Sequence, residues 1–168
     1  MPKIIIRRMK ILDIDTIYEI ETETFATPWS KSSFVKEITD NVSARYLVIE
    51  KDGKLLGYAG TWIVFEESHI TNIAISEKYR GLGYGSKLTK AILQYCANLA
   101  VQYVTLEVRR SNLIAQKMYK TLGFEELGVR KRYYEDNNED ALLMVLTHMP
   151  AIQEDFDDNI EIFDEFEE

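Results

Sequence analysis

The sequence predicts an α/β fold, a three-layer sandwich with a mixed central sheet, built as one domain. Three observations predict this fold class. The chain has 168 residues, 46% of them are hydrophobic, and strand-like and helix-like patterns alternate along it. A chain of this length buries roughly 70% of its unfolded surface, so it can form a full core without a metal or a disulfide.

The composition excludes several classes of protein. A single cysteine, Cys96, excludes a disulfide framework and a cysteine-rich zinc site, and it is typical of a reducing compartment. The longest apolar run, 55–65, has about 11 residues and is too short to span a bilayer. The first ten residues lack the long apolar segment of a signal peptide. We therefore expect a cytoplasmic protein with no membrane segment.

The chain begins with a strand and two helices. Residues 3–8 are a hydrophobic run that favours a strand. Three apolar residues then follow at helical spacing: Leu12, Ile17 and Ile20. This helix ends before the segment 25–29, where Pro28 favours a loop, and Ser30 is a good N-cap for a second helix that ends near Asp40. The inward residues of the second helix are Phe34, Val35 and Ile38.

Two strands joined by a tight turn come next. The segments 45–51 and 54–66 have the composition of strands, and the Asp52-Gly53 pair between them is a strong hairpin signal. A further strand, 69–76, leads into a glycine-rich stretch at 80–86. The order of these elements predicts that the glycines lie at the end of a strand.

The second half of the chain alternates helices and strands. A helix to about Ala100 follows the glycines, with Leu88, Ile92 and Leu93 at helical spacing. The remaining elements are a strand at 103–109, a helix at 112–122, and strands near 124–134 and 140–147. Cys96 lies among apolar residues of the long helix, which predicts a small buried hydrophobe rather than a reactive thiol.

The acidic residues are concentrated at the C-terminus. From Pro150 onward the chain has nine acidic residues and no lysine or arginine. Since the whole chain carries a net charge of −8, residues 1–149 carry +1. The body therefore lacks the basic stripe that predicts nucleic-acid binding, and we expect no direct nucleic-acid partner. We expect a folded domain at 1–149 and an acidic tail at 150–168.

The tail has its apolar residues at helical spacing: Phe156, Ile160, Phe163 and Phe166. One interpretation is a solvated, disordered end. The other, which we expect, is an amphipathic segment that packs on the body or on a second copy of the chain, which would make a homo-oligomer.

The segment 80–86 has the features of a phosphate-binding turn. Glycines at alternate positions, Gly81, Gly83 and Gly85, let backbone N–H groups converge on one point, and the following helix adds its positive end. Arg80 adds a formal charge. The segment therefore predicts an anion site suited to a pyrophosphate.

Two other interpretations of these glycines stay open at this point. A Rossmann turn needs Gly-x-Gly-x-x-Gly directly after the first strand, whereas here Ser86 takes the last position and the turn lies in mid-chain. Glu107 follows about 20 residues later, as a ribose-binding acid would, but it lies within a strand. The second interpretation is a flexible helix start that binds no ligand.

Several motifs, taken together, resemble one enzyme family. Ile73-Ala-Ile followed by Arg80-x-x-Gly83-x-Gly85 resembles the acetyl-CoA signature of the GNAT acetyltransferase superfamily. Four further segments are similar to the RimI-type and archaeal protein N-terminal acetyltransferases: 25–30, 106–124, Tyr133-Tyr134 and 139–141. The matches run in order from about residue 3 to about residue 148.

The resemblance implies a cofactor geometry. Two central parallel strands, 69–76 and 103–109, would separate at one end, and the pantetheine arm of acetyl-CoA would lie in that gap like an added strand. The glycine turn would hold the pyrophosphate, and CoA would be the product. The residues that the resemblance places on the cofactor are Ile73, Ala74, Ile75, Arg80, Gly81, Leu82, Gly83, Tyr84, Gly85, Ser86, Asn112 and Tyr119. No metal is implied.

Acetyl transfer to an amine needs a neutral nucleophile, a polarised thioester carbonyl and a proton for the leaving thiolate. An α-amine has a pKa of about 8, so roughly a tenth of it is neutral at pH 7. A lysine amine, with a pKa of about 10.4, would require about 2.5 units more. A site whose bases are carboxylates or imidazoles therefore favours an N-terminal α-amine.

Glu107 and His69 are the candidates for proton removal. The resemblance makes Glu107 the base, and a carboxylate on a central strand is costly unless it is bonded or functional. The structural alternative for Glu107 is an ion pair with Arg109 on the same face of the strand. His69 begins the neighbouring strand and would share proton removal through water, or it has a structural role.

Tyr119 and five aromatic or proline residues complete the candidate site. Tyr119 lies seven residues after Asn112, two turns along one helix face, and the resemblance makes it the acid that protonates the thiolate. Its alternative is a half-buried tyrosine against the sheet. Five further residues are expected to form the walls of a peptide groove: Phe25, Pro28, Trp29, Tyr133 and Tyr134. The alternative for each of them is an ordinary place in the core.

The predicted function is acetyl transfer from acetyl-CoA to the free N-terminal α-amine of proteins, ribosomal proteins among them, by direct attack in a ternary complex. One alternative is an acetyltransferase for lysine or a small amine. Another is a non-catalytic acyl-CoA-binding module that serves a partner complex.

Overall fold

The computed structural model describes residues 3–154 and 162–164, and it confirms the predicted α/β sandwich. The strands are β1 (Ile4–Arg8), β2 (Ala44–Lys51), β3 (Lys54–Val64), β4 (Glu67–Ile75), β5 (Tyr103–Arg109), β6 (Glu125–Tyr134), β7 (Glu139–Leu146) and β8 (Ile162–Asp164). The helices are α1 (Ile14–Thr24), α2 (Lys31–Thr39), α3 (Tyr84–Asn98) and α4 (Leu113–Thr121), and short 3₁₀ turns lie at Ile11–Asp13 and Glu77–Tyr79. Every strand and helix predicted between residues 3 and 148 is present, within a few residues of its expected bounds.

The strands form one sheet in the order β6-β7-β5-β4-β3-β2-β1-β8. Within the described chain, β4 and β5 are the one parallel pair, and the other neighbours are antiparallel. A parallel pair needs a crossover connection, and the glycine turn followed by α3 provides it. The crossover brings the turn at 80–86 to the end of β4.

Helices cover both faces of the sheet, which gives three layers. The pair α3 and α4 packs on one face, over a first core that includes the fully buried Leu88 and Ile92. The pair α1 and α2 packs on the other face, over a second core that includes Ile17 and Phe34. Cys96 is buried in the first core, and this burial raises the pKa of its thiol to about 11, so the prediction of a buried cysteine is confirmed.

The first helix differs from the prediction at its start. Leu12 is predicted on the inward stripe, but it lies in the 3₁₀ turn and is 93% exposed. A 3₁₀ turn has about 3 residues per turn instead of about 3.6, so it shifts the phase of the stripe. The buried positions on α1 therefore begin at Ile14 and continue through Ile17 and Ile20.

Two local predictions are confirmed in detail. The Ser30 hydroxyl accepts a hydrogen bond from the Ser33 N–H at 3.1 Å and caps α2. In the turn between β2 and β3, Asp52 and Gly53 have φ values of 50° and 81°, as a type I′ hairpin turn requires. Local sequence thus determines where α2 begins and where this hairpin reverses.

The C-terminal prediction is corrected where the structure describes that segment. The backbone of 162–164 forms β8, which pairs antiparallel with residues 4–6 of β1, so residue 163 lies in a strand on the body and the helical spacing does not describe it. The physical reason is that an edge strand offers unpaired N–H and C=O groups. Phe156, Ile160 and Phe166 lie outside the described residues, and the domain boundary after residue 149 and the homo-oligomer stay predictions.

The sequence predicts no membrane segment. In the described part of the chain, no helix is both long enough and apolar enough to cross a bilayer.

Candidate active site

A gap between β4 and β5 is the central feature of the site. The two strands pair only between Glu67–Ile70 and Tyr103–Leu106. Beyond Ile70, β4 continues to Ile75 in register with β3, so its edge at 71–75 has no ladder partner on the β5 side within the described chain. The predicted separation of the two parallel strands is therefore confirmed. An edge of this kind can accept an extended ligand through backbone hydrogen bonds.

A bulge in β4 accompanies the separation. The register with β3 shifts so that Thr71 is an extra residue, opposite the step from Gly60 to Thr61. Gly60 is required there because a Cβ at this position would clash with the ring of Tyr46. A bulge bends its strand, so β4 turns away from β5 at the point where their pairing stops.

The glycine turn opens α3 at the end of the gap. Gly81 and Gly83 have φ values of 76° and 87°, which glycine adopts without strain. A Cβ added to either residue would meet no atom within 4 Å, so both face open space. The first N–H groups of a helix have no partner within that helix. The turn can therefore bind an anion at the end of β4.

Arg80 connects this turn to two other elements. Its Nε donates to the Ile75 carbonyl at 2.9 Å, and its Nη2 donates to the Thr24 hydroxyl at 2.9 Å. The positive charge expected at the turn is thus present, but two of its donors already hold the turn in place. Tyr84 directs its side chain into the first core, so toward the turn it can offer only its backbone.

Glu107 lies on β5 directly after the last residue paired with β4. Its side chain points away from the first core, which contains its strand neighbours Leu106 and Val108. Its Oε2 lies 2.7 Å from Nε2 of His69 on β4, and Nδ1 of His69 lies 2.8 Å from the Thr105 hydroxyl. Because an ionised carboxylate carries no proton, His69 is the donor to Glu107. Both imidazole nitrogens are therefore engaged.

The surroundings of Glu107 keep it ionised. Burial alone would raise its pKa, but the hydrogen bond from His69 and the positive charge of Arg130 hold the pKa of Glu107 below its ordinary value. Arg130 Nε lies 3.4 Å from the second carboxylate oxygen, Oε1. Arg109 is not the partner, since it pairs instead with Asp136 at 3.0 Å and Glu139 at 3.3 Å.

Tyr119 and Asn112 lie on the other side of the sheet. Tyr119 is buried on α4, with its ring 5.6 Å from that of Phe124. Burial raises the pKa of Tyr119, with a smaller contribution from Tyr134, so the phenol keeps its proton at neutral pH. Asn112 is exposed at the start of α4, where its Oδ1 accepts from the Ala115 N–H at 3.2 Å.

Tyr133 and Tyr134 end β6 close to Glu107. Their rings meet edge to face at 5.1 Å, and the Arg109 guanidinium lies 3.9 Å from the centre of the Tyr134 ring. Burial raises the pKa of Tyr134 to about 12, and the charge of Glu107 contributes to the raised pKa of both phenols. The structure thus brings these two tyrosines together with the candidate base.

Phe25, Pro28 and Trp29 follow α1. Phe25 and Trp29 pack against the second core, Trp29 with its ring 5.6 Å from that of Phe34, and Pro28 is half-buried. The Trp29 N–H donates to Oε1 of the buried Glu21 at 3.1 Å. This segment therefore lies on the α1–α2 face of the sheet, the same face to which Glu107 points.

Glu107 and Tyr119 lie on opposite faces of the sheet, so one ligand could contact both only through an opening in the sheet. Glu107 points to the α1–α2 face, whereas Tyr119 belongs to the first core under α3 and α4. Tyr134 interacts electrostatically with each of them. An intact sheet would keep the two groups apart.

Three contacts in and around the candidate site are missed by sequence reasoning. Thr105 lies two residues before Glu107 on the same face, so the period of the strand was the signal for it. Arg130 reaches Glu107 through the pairing of β6 with β7, for which the local sequence gives no signal. Glu21 is a buried carboxylate on a helix, and only the position of Trp29 explains it.

The chain is similar to several known proteins. The model of the acetyltransferase (GNAT) family matches residues 14–124. A protein of Bacillus subtilis (strain 168), assigned as a ribosomal protein bS18-alanine N-acetyltransferase, is 48% identical over 145 residues, which are 86% of this chain and 96% of that protein. The ribosomal protein bS18-alanine N-acetyltransferase of Escherichia coli (strain K12) is 34% identical over 145 residues, which are 84% of this chain and 95% of that protein.

A solved structure shows the same arrangement of the chain. The crystal structure of the ribosomal-protein-S18-alanine N-acetyltransferase from Escherichia coli matches with a TM-score of 0.80 and 30% identity. The match covers 93% of this chain and 99% of that one. The region matched by the family model includes β4 and β5, which flank the gap, together with the glycine turn and α4.

Proposed function

This chain belongs to the acetyltransferase (GNAT) family and has the activity of an acetyl-CoA-dependent N-acetyltransferase, and on that premise we propose that its acceptor is the N-terminal α-amine of a protein. The observation that carries the proposal is the gap between β4 and β5, with an ionised carboxylate on one face and a protonated phenol on the other. Since the relatives are named as alanine N-acetyltransferases of ribosomal protein bS18, we propose a ribosomal protein as the class of acceptor. We place the reaction in the cytoplasm, where such proteins are made.

The site fits acetyl-CoA on two observations. An extended pantetheine arm needs an unpaired strand edge, and 71–75 offers one. A pyrophosphate needs an open turn of backbone N–H groups, and Gly81 and Gly83 face open space. In this proposal the backbone of Ile73–Ile75 holds the arm, the backbone of 80–86 holds the phosphates with Arg80 beside them, and Asn112 adds a contact at the start of α4. When bound, acetyl-CoA supplies the thioester carbonyl and the leaving thiolate.

Glu107 is proposed as the base. It is ionised at neutral pH and only one-tenth exposed, so it can accept the proton of the amine, directly or through one water molecule. His69 already donates to Glu107 and contacts Thr105 with its second nitrogen. We therefore propose that His69 orients the carboxylate. The N–H groups along the free edge of β4 donate to the carbonyl that the amine attacks.

Tyr119 is proposed as the acid. Its raised pKa means that the phenol holds a proton at neutral pH, and its position beside the gap lets it donate that proton to the leaving sulfur. Groups on both faces of the sheet thus act on one reacting centre, each in the protonation state that its step requires.

The groove for the acceptor is proposed to run over the α1–α2 face. Phe25, Pro28 and Trp29 would form one wall, and Tyr133 and Tyr134 the other. Aromatic rings with polar edges can pack against the first side chain of a peptide and bond to its backbone. An α-amine needs less help than a lysine amine to become neutral, and the proposed base is a carboxylate.

A competition experiment tests the acceptor. A peptide that begins with alanine and contains an internal lysine is offered with acetyl-CoA, in parallel with the same peptide blocked at its N-terminus, and mass spectrometry locates the acetyl group. We expect acetylation of the free α-amine at a rate at least about a hundredfold above that of the lysine. Comparable lysine acetylation of the blocked peptide would establish a lysine acetyltransferase instead. Acetyl-CoA binding without turnover on any peptide would establish a non-catalytic binding module.

A further inference from the structure

Arg130 makes a contact with Glu107 that the reaction as proposed does not use. Its Nε lies 3.4 Å from Oε1 of Glu107, while His69 lies 2.7 Å from Oε2. The side chain of Arg130 is 54% exposed and that of Glu107 is 10% exposed. A half-exposed cation thus lies beside Oε1, the carboxylate oxygen that His69 does not contact.

The strand register explains why this space is available to Arg130. On β7, Leu143 lies opposite both Glu107 of β5 and Gly128 of β6. Gly128 has no side chain, and a Cβ there would meet no atom within 4 Å. Arg130, two residues further along β6, therefore reaches back across an empty position to the carboxylate.

The backbone after Arg130 is irregular. Regular pairing of β6 with β7 stops at Arg130 and resumes at Tyr134, and Arg132 between them has a φ of 54°. The segment is held by Asp140, whose Oδ1 accepts from the Arg132 N–H at 3.0 Å. Arg130 is therefore the last regular residue before the segment that carries Tyr133, and its guanidinium lies 5.8 Å from the Tyr133 ring.

The two partners of Glu107 differ in how readily they can leave. His69 is held by Thr105 on the same sheet, whereas Arg130 reaches in from an edge strand with most of its side chain in water. At 3.4 Å and with its guanidinium side chain 54% exposed, Arg130 can return to water at a lower cost than a fully buried partner could. An amine that approaches Oε1 would meet Arg130 first, and it would have to take its place.

From this geometry, and resting on the proposed function, we propose that Arg130 is a positioning residue that covers Oε1 of Glu107 as a displaceable counter-ion. The incoming amine takes the place of Arg130 at that oxygen. In the free enzyme it keeps the carboxylate ionised and oriented. Because Arg130 stays close after displacement, its positive charge disfavours a second cation beside it. The neutral amine, which is the nucleophile, is thereby favoured over the ammonium form.

Two substitutions test the proposal, with a control one residue away. Arg130→Gln removes the charge, Arg130→Lys keeps it, and Lys131→Gln removes a neighbouring exposed charge as the control. With an alanine-initiated peptide at pH 7, we expect Arg130→Gln to lower the KM for the peptide about threefold or more, because no group has to be displaced. Arg130→Lys and Lys131→Gln should stay within about twofold of the wild type.

A titration that needs no turnover completes the test. The side-chain carboxyl of Glu107 is followed by carbon-13 NMR in labelled protein without substrate, and its resonance is identified by its loss in Glu107→Gln. The other titratable or charged groups that act on this carboxyl are His69, Tyr133 and Tyr134, and they are unchanged in Arg130→Gln. We expect the Glu107 titration to move upward by about half a pH unit or more, and Arg130→Lys to restore it.

The outcomes separate this proposal from the proposed function. A raised KM in Arg130→Gln, or a Glu107 titration that does not move, overturns the role of Arg130 and leaves the acetyltransferase assignment intact. If the wild type acetylates no peptide α-amine, the acceptor assignment fails. The NMR titration in the three variants, repeated with the unreacted peptide present, still decides whether an amine displaces Arg130.

Discussion

The proposed reaction needs Glu107 without its proton and Tyr119 with its proton, and the surroundings of each residue favour that state. A base must be ionised, and Glu107 is kept so by His69 and Arg130 although burial opposes it. An acid must be protonated, and Tyr119 is kept so because burial disfavours its phenolate. At one pH, the carboxylate of Glu107 can therefore accept a proton and the phenol of Tyr119 can donate one.

Replacing the phenol tests its role as the acid. We expect Tyr119→Phe to lower kcat about a hundredfold and to raise the KM for acetyl-CoA much less, because the ring stays packed and only the proton donor is lost. Steady-state kinetics at saturating peptide measure both values. Tyr103→Phe, which removes a hydroxyl bonded to Glu67 at the far end of β5, is the control. An unchanged kcat in Tyr119→Phe would remove Tyr119 from the mechanism.

Replacing the carboxylate of Glu107 should lower the activity by a factor that depends on pH. The lowered pKa of Glu107 keeps it ionised from about pH 6 to about pH 9, so its own titration does not shape this range. The substrate amine is more protonated at the lower end. We expect Glu107→Gln to reduce kcat/KM most near pH 6 and least near pH 9, as a pH–rate profile would record.

The control for this profile is Glu126→Gln, which removes an exposed carboxylate that pairs with the exposed Lys120. Its profile should follow the wild type. A Glu107→Gln loss that is equal at all pH values would count against a role in proton removal.

At the scale of elements, the glycine turn combines conformational freedom with an open position. Gly83 has a φ of 87° and is the N-cap that precedes α3, so alanine there would be strained by about 1 kcal/mol even though its Cβ meets no atom within 4 Å. We expect Gly83→Ala to weaken CoA binding about fivefold to tenfold in calorimetric titration. The control is Gly53→Ala, which introduces similar strain at a φ of 81° in the distant β2–β3 hairpin. If both variants bind CoA as the wild type does, the turn is not its anion site.

Glu21 links α1 to the segment that carries Trp29. It is 2% exposed, and burial raises its pKa to about 7, against the hydrogen bond from Trp29 that lowers it. A folded pKa above the unfolded value of 4.5 means that the folded state binds the proton more tightly. The contribution of the Glu21 carboxyl to the free energy of unfolding is therefore complete below about pH 4.5 and is lost as the pH rises to about 7.

The pH dependence of unfolding tests this link. We expect Glu21→Gln to be more stable relative to the wild type at pH 8 than at pH 5, by about 3 kcal/mol, because it removes the buried charge. Urea unfolding at the two pH values measures the difference. Glu19→Gln, on the exposed side of α1, should change the free energy of unfolding by the same small amount at both pH values. A Glu21→Gln effect that is independent of pH would contradict the titration.

At the scale of the molecule, the site lies away from the edge of the sheet that carries β8. The gap is between β4 and β5, whereas β8 pairs with β1 at the edge of the sheet. We expect a chain truncated after Glu154 to keep kcat/KM within about twofold and to lose some stability, because β1 then becomes an unpaired edge. Activity assays and thermal unfolding of both chains measure this. A tenfold loss of activity would mean that residues after 154 serve the site.

Much of the fold was predictable because its signals are local. Ser30 caps α2 and Asp52-Gly53 makes a hairpin through contacts with near neighbours, so those residues alone predict them. The alternation around Glu107 places it opposite the core for the same reason. Leu12 was mispredicted because a 3₁₀ turn shifted the phase of the first helix, and sequence periodicity assumes a single helix type.

The sequence by itself determined the elements, the glycine turn and the face to which Glu107 points, because each depends on residues close together in the chain. Tertiary structure alone decided that the partners of Glu107 are His69 and Arg130 rather than Arg109, and that residue 163 lies in a strand. These outcomes depend on the order and register of strands that are distant in sequence. Register is set by the packing of the whole sheet, which no local pattern contains.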